Sequence, residues 1–137
     1  MNQTINILIV DDNIINVDVL KISLMKTGTV FQLSIDTAFD GSKAVEMAQN
    51  KPYDIIFMDL QMPVMSGFEA SRKIREHEVT QQKDRKAYIL ALTATQLSEK
   101  QELIDECGVD DVLLKPFSMS GLTDILNNTG KKIFPSL

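Results

Sequence analysis

The sequence predicts an α/β protein in which helices cover both faces of one parallel sheet, a doubly wound sandwich. Three observations predict this fold class. Five short apolar runs alternate with five segments of helical periodicity. The 137 residues, 44% of them hydrophobic, suffice for one core and not for two full-sized domains. Turn or cap residues stand near each junction, and a strand that returns through a helix pairs in parallel.

The first half of the chain supplies two strands and two helices. The run 5–10 is nearly all apolar and β-branched, which predicts a central strand buried on both faces. Asn13 is a good N-cap for the helix that follows it. Alternating apolar residues over 31–35 predict a half-exposed strand. Asp40 caps the second helix, which ends before Pro52.

The second half repeats this alternation three times. Apolar runs predict strands over 53–58, 87–92 and 112–114. Helical periodicity and cap residues predict helices over 67–76, from Ser98 and from about Ser118. The polar stretch 76–86 is interpreted as a solvated loop, and the domain is expected to span residues 1–128, with a flexible tail over 129–137.

Composition excludes several functional classes. No apolar run is long enough to span a membrane and no secretory signal is readable, so the sequence predicts a cytoplasmic protein without membrane contact. The one cysteine, Cys107, cannot form an intramolecular disulfide or a zinc site of several cysteines. A formal net charge of −5 argues against nucleic-acid binding, which depends on clustered Lys and Arg.

Polar side chains stand where the predicted strands end. Asp11 and Asp12 follow the first strand, Asp59 the third, Thr93 the fourth and Lys115 the fifth. Because the carboxyl ends of parallel strands meet at one edge, and ligands of doubly wound sheets bind there, we expect these five side chains to lie close together.

Other acidic residues are placed elsewhere by the same geometry. Asp54 opens the third strand and lies roughly 16 Å from Asp59 at ~3.3 Å per strand residue. Asp110 and Asp111 precede the fifth strand and belong to the same opposite edge. His77 is interpreted as a solvated residue at a helix end and Cys107 as a packing residue.

Three neighbouring carboxylates repel one another unless a cation is present. Mg²⁺ suits such a site because it prefers oxygen ligands, retains water and is commonly completed by a phosphate oxygen. Lys115 can neutralise a phosphoryl oxygen and the Thr93 hydroxyl can donate a hydrogen bond to another. A carboxylate in this setting is a candidate nucleophile that forms an acyl phosphate.

Four motifs in this order resemble the receiver domains of two-component response regulators. They cover the chain from about Ile5 to Leu126 and are Val10-Asp11-Asp12-Asn13, the segment 58–67, Ala91-Leu92-Thr93-Ala94 and Lys115-Pro116-Phe117. Asn16 and the segment 67–70 resemble more particularly the receivers of hybrid sensor histidine kinases. The resemblance implies a flavodoxin-like fold of strand order 2-1-3-4-5 and a cis peptide bond before Pro116.

The resemblance also assigns roles to the site residues. It implies that Asp59 is the phosphoacceptor and that Asp12 and Asp59 bind Mg²⁺ directly. Asp11 would bind mainly through metal-bound water, and the backbone carbonyl of Gln61 would complete the protein ligands. Thr93 would be the switch hydroxyl and Lys115 the partner of the phosphoryl group. Many receivers have Tyr or Phe three residues before that Lys, whereas this chain has Val112.

The favoured function is therefore that of a phosphoacceptor receiver in a His-Asp phosphorelay. Its donor would be a histidine kinase or histidine phosphotransfer protein, and its output a downstream effector or a parent hybrid kinase. It would not be an enzyme, since it would catalyse only its own phosphorylation and dephosphorylation.

Two alternatives stay open. One is a Mg²⁺-dependent phosphohydrolase that works through an aspartyl phosphate, for which an acid two residues after the nucleophile is expected where Gln61 stands. The other is an interaction-only pseudo-receiver, which is less favoured because such proteins usually lose part of the site and this chain retains it.

Overall fold

The computed structural model describes residues 3–62, 64–82, 86–93, 100–115 and 117–134. Within them a five-stranded parallel sheet has the order β2-β1-β3-β4-β5, which confirms the predicted fold class and strand order. The strands are β1 Thr4–Val10, β2 Gln32–Ala38, β3 Ile55–Asp59, β4 Tyr88–Thr93 and β5 Asp111–Leu114. The helices are α1 Ile14–Met25, α2 Gly41–Asn50, α3 Gly67–Thr80, α4 Lys100–Cys107 and α5 Met119–Ile133.

The predicted cap residues begin three of the helices. The Asn13 side chain accepts from the backbone amides at the start of α1, and Asp40 and Ser118 do the same for α2 and α5. Ser66 caps α3 by accepting from Glu69 N at 3.2 Å. Ser98, predicted to begin the fourth helix, lies outside the described residues.

The sheet separates two apolar cores. Side chains of α1 and α5 pack with Ile7, Phe57 and Leu90 on one face. Those of α2, α3 and α4 pack with Ile56 and Ile89 on the other face. Since β1, β3 and β4 are covered on both faces, their side chains are almost wholly apolar, as expected for central parallel strands.

Helix α3 corrects the prediction of a solvated loop from residue 76. It continues to Thr80, and Glu78 is only 5% exposed. The Glu78 carboxylate accepts from Arg75 Nη1 and from Ala87 N, both at 2.8 Å. These two donors satisfy the buried Glu78 carboxylate, so the last turn of α3 can pack against the domain although the stretch is polar.

Helix α5 continues past residue 128, where the sequence predicts a flexible tail to begin. The helix runs to Ile133. Gly130 lies so close to the Phe31 ring that a Cβ at this position would overlap it, and Phe134 stacks on the same ring with centroids 5.9 Å apart. This aromatic contact holds the last turn against the body of the domain.

Candidate functional site

Three carboxylates meet at the carboxyl edge of the sheet. Asp11 and Asp12 directly follow β1, and Asp59 ends β3, which pairs with β1. One carboxylate oxygen from each residue lies within 4.8 Å of the other two. The structure thus brings together the three acidic residues that strand ends alone had placed at one edge.

Local hydrogen bonds hold two of these side chains in place. Asp11 Oδ1 accepts from Asn13 N at 2.9 Å, and Asp59 Oδ1 accepts from Gln61 N at 3.1 Å. Asp side chains form such turns readily because the carboxylate reaches the amide two residues ahead. Each carboxylate keeps its second oxygen for other partners.

Gly67 lets α3 begin directly against the end of β3. Its amide donates to Leu60 O at 3.2 Å, and a Cβ at this position would overlap the Asp59 carbonyl oxygen. Any side chain would therefore displace the backbone that carries Asp59. Glycine is required here for close approach.

Negative charge is incompletely compensated at this edge. Asp11 and Asp59 are buried while Asp12 is exposed. Lys115 Nζ lies 3.3 Å from Asp11 Oδ2. Burial, with the neighbouring Asp11 charge as a smaller cause, raises the pKa of the Asp59 carboxyl above its ordinary value. A cation among the carboxylates would remove this penalty.

The donor set fits a hard divalent cation. Three converging carboxylates offer only oxygen, the ligand atom that Mg²⁺ prefers, and one of them is exposed to solvent. Asp11, Asp12 and Asp59 are the residues that would hold the ion. A carbonyl ligand from Gln61 stays a prediction.

Thr93 and Lys115 lie at the same edge on neighbouring strands. Thr93 ends β4 and is buried, and Leu92 beside it pairs with Asp59 across β3 and β4. Lys115 follows β5, and its amide donates to Thr93 O at 2.8 Å. Pro116 and its predicted cis bond lie outside the described residues, as does Ala94.

The acids predicted to lie away from the site are at the opposite edge. Asp54 Oδ2 accepts from Asn6 N at 2.8 Å. Asp110 Oδ2 accepts from the Arg75 guanidinium and from Ile89 N. Cys107 is buried, and burial raises the pKa of its thiol, which fits a packing role. These residues do not belong to the carboxylate cluster.

Sequence reasoning missed an apolar surface around the cluster. Ile14 and Ile15 open α1 beside Asp12 and are 61% and 68% exposed. The missed signal is that apolar residues occupy two faces of this helix. Only one of these faces is buried, and it carries Val17, Leu20 and Leu24. Phe39 and Val64, in the loops after β2 and β3, are also exposed.

Comparison with known proteins gives one consistent result. The sequence matches the response regulator receiver domain over residues 7–127. It is 37% identical over 128 residues to hybrid signal transduction histidine kinase G of Dictyostelium discoideum, a match that covers 93% of this chain and 4% of the kinase. The chain therefore corresponds to a small part of that relative.

Solved structures agree with the sequence match. The receiver domain of sensor histidine kinase PA1611 from Pseudomonas aeruginosa PAO1, which has a magnesium ion in its active-site cleft, aligns with a TM-score of 0.75 and 34% identity, over 95% of this chain and 98% of that one. A co-crystal structure of the Saccharomyces cerevisiae phosphotransfer protein Ypd1 and the Ssk1 receiver domain gives a TM-score of 0.82 and 32% identity, over 95% and 91%.

Proposed function

The chain belongs to the response regulator receiver domain family, and on that basis we propose that Asp59 accepts a phosphoryl group from a phosphohistidine in a site that binds Mg²⁺. The observation that carries this proposal is the convergence of Asp11, Asp12 and Asp59 within 4.8 Å of one another. Lys115 beside them supplies the positive charge that a phosphoryl group needs.

The chemical step needs few protein groups. An Asp59 carboxylate oxygen attacks phosphorus and forms the acyl phosphate bond. The bond between phosphorus and the donor imidazole nitrogen breaks with its electron pair on nitrogen, and a ring that carries a proton on its other nitrogen leaves as neutral histidine. The Lys115 ammonium is near enough to the cluster to stabilise charge on the transferred phosphoryl oxygens.

A metal ion bound by the three carboxylates would offset their mutual repulsion and the charge of the incoming phosphoryl group. Asp59 carries one backbone hydrogen bond, from Gln61, which fixes its orientation toward the edge of the sheet. Asp11 is held by Asn13 N and by Lys115, so its position is fixed before any ligand arrives.

The proposed donor is a histidine kinase or a histidine phosphotransfer protein. The outward face of α1 supports a protein donor, since this helix begins two residues after Asp12 and carries exposed Ile14, Ile15, Val19 and Ile22. A groove of about 430 Å³ continues from this helix to Lys115 and Phe117. The output would be read by a downstream effector or within a parent hybrid kinase.

Thr93 is proposed as the switch residue. Its hydroxyl can bond to a phosphoryl oxygen that exists only after modification of Asp59, and only such a differential contact shifts a conformational population. Val112 is partly buried and packs against the core under α2, α3 and α4. Because it lacks an aromatic ring, we expect weaker coupling to the surface around α4 and β5 than an aromatic residue would provide.

Labelling with acetyl phosphate tests the proposal. Intact mass spectrometry should show one added phosphoryl group when Mg²⁺ is present and none in Asp59→Asn. Asp40→Asn is the matched control, because Asp40 caps α2 and Asn is an equally good cap. Labelling of Asp59→Asn at the wild-type rate would show that another residue is the acceptor.

A further inference from the structure

Strand β2 forms one edge of the described sheet, where it pairs with β1 alone. Its residues 33–37 are all partly exposed, even Leu33 and Ile35, whose side chains pack against the core. In β1, which has a strand on each side, residues 7–10 are fully buried. The exposure of β2 therefore lies along its outer edge.

Alternate residues of β2 turn their backbone groups away from β1. At the end of the strand, Ala38 O accepts from Asp11 N at 3.2 Å, so the even-numbered residues of β2 face β1. Since a residue of a parallel strand points its amide and carbonyl to the same side, Leu33, Ile35 and Thr37 point theirs outward. Their three amides and three carbonyls have no hydrogen-bond partner in the described part of the chain.

Strand β2 lacks the features that usually keep an edge strand from pairing. It is seven residues long and contains neither lysine nor proline. Its register with β1 is unbroken from Gln32 to Ala38, so no bulge bends it. The strand at the other edge, β5, is only four residues long. Of the two edges, β2 is therefore the one suited to accept another strand.

The charge of Asp36, which lies on β2, is compensated within the chain. Asp36 Oδ2 accepts from Lys51 Nζ at 2.9 Å and from Tyr53 OH at 2.7 Å. Because the Lys51 ammonium is so close, this acid repels a second strand little. Both of these bonds use Oδ2, so Asp36 Oδ1 can accept from a donor on that strand.

A second copy of β2 fits this edge in one antiparallel register. When a two-fold axis passes through the Ile35 pair, Leu33 lies opposite Thr37 of the second copy. Every outward amide then meets an outward carbonyl. Ser34 lies opposite Asp36 of the second copy and can donate its hydroxyl to Oδ1. Since Asp36 is the charged residue of this strand, no like charges face each other.

We infer that two copies of this chain pair antiparallel along β2 and form one continuous ten-stranded sheet. The pairing is isologous, so each copy uses the same surface. The carboxyl edges of the two sheets point in opposite directions, and both carboxylate clusters stay open. Phosphoryl transfer to Asp59 therefore does not depend on this dimer.

Sedimentation velocity, together with amide hydrogen exchange followed by NMR, tests the pairing. The full chain should form dimers as its concentration rises. The amides of Leu33, Ile35 and Thr37 should become protected over the same concentration range, since the dimer gives them acceptors. The amides of Ser34 and Asp36 face β1 and should be protected at every concentration.

Ser34→Asp and Ser34→Asn are a matched pair of variants. The first places a carboxylate opposite Asp36 at both symmetric positions, so the dissociation constant of the dimer should rise about tenfold. The second has the same size without the charge and should dimerise as the wild type does.

Thr37→Pro removes an outward amide from each copy and should weaken the dimer by a similar factor, whereas Thr37→Val keeps the amide and should not. Proline is tolerated on an edge strand where its nitrogen faces solvent, so the monomer should remain folded. Thermal unfolding of dilute protein, followed by circular dichroism, checks this for all four variants.

Three results would each overturn the inference. A chain that stays monomeric up to about 1 mM would leave this edge to a strand of a different protein. A dimer that Ser34→Asp does not weaken would have its interface elsewhere. Protection of Leu33, Ile35 and Thr37 that is independent of concentration would mean that the edge is covered within one copy. Labelling of Asp59 tests the proposed function separately.

Discussion

The two ends of the sheet use acidic residues in opposite ways. At the amino end, Asp54 accepts from a backbone amide, and Glu78 and Asp110 each accept from Arg75 and from a backbone amide. At the carboxyl end, three carboxylates converge, and the Lys115 ammonium lies 3.3 Å from one of them, Asp11.

The difference shows that the surroundings of a carboxylate, rather than its residue type, decide its role. Glu78 is buried with a donor on each oxygen, and Arg75 and its partners join α3 to the start of β4 and to the segment before β5. A cluster of carboxylates with uncompensated negative charge lowers the stability of the folded protein, and the same charge attracts a cation. The first arrangement supports the fold, and the second is available for chemistry.

Removal of Arg75 should give the largest effect on stability. Arg75→Met leaves the Glu78 carboxylate buried without its cationic partner, so we expect the free energy of unfolding to fall by about 3 kcal/mol. Urea denaturation measures this. Labelling by acetyl phosphate should continue in the folded fraction, because the site lies at the other end of the sheet.

Arg72→Met is the control for that variant, since Arg72 is an exposed residue of the same helix. It should change stability by less than about 0.5 kcal/mol. Equal destabilisation by the two substitutions would contradict the role given to the Arg75 interactions. Loss of labelling in folded Arg75→Met would show that the two ends are not independent.

A substitution at Gly67 should give a smaller loss of stability together with a loss of labelling. The added methyl group of Gly67→Ala would overlap Asp59 O, so the end of β3 must shift, at a cost of about 2 kcal/mol. Gly121→Ala, at a helical glycine whose nearest neighbour is the Ser118 hydroxyl, should keep normal labelling. Normal labelling in Gly67→Ala would mean that the site tolerates this shift.

Neutralisation of Asp59 should give the smallest effect, and it should stabilise the protein. Since the pKa of Asp59 is raised in the folded state, wild-type stability is lost as pH rises from the ordinary value of 3.8 through the folded-state pKa. Metal-free Asp59→Asn lacks this loss and should be more stable than metal-free wild type at neutral pH.

Denaturation of both proteins at neutral pH and near pH 3.8 checks the sign, because the difference should shrink at the lower pH. Mg²⁺ should then stabilise the wild type more than the variant, since it binds the folded state and needs the third carboxylate. A variant that is less stable than metal-free wild type at neutral pH would contradict the proposed charge imbalance.

The sequence predicted most of the fold because its signals are local. Apolar runs located the five strands, and Asn13, Asp40 and Ser118 marked helix starts that hydrogen bonds then confirmed. The sequence did not predict the end of α3, because Glu78 stands in a polar stretch and only the structure places Arg75 and Ala87 N beside its carboxylate. Ala87 is nine residues from Glu78, and Arg75 comes beside Glu78 only once the segment between them is helical.

For the site, the sequence by itself determined which acids share an edge, since strand ends and parallel pairing suffice to bring Asp11, Asp12 and Asp59 together. Only the tertiary structure decided which apolar residues remain outside the core. Ile14, Phe39 and Val64 are as apolar as buried residues, and their exposure depends on which surfaces the packed helices and loops leave open. Hydrophobicity favours burial in general, whereas the number of available core positions is fixed by the assembled fold.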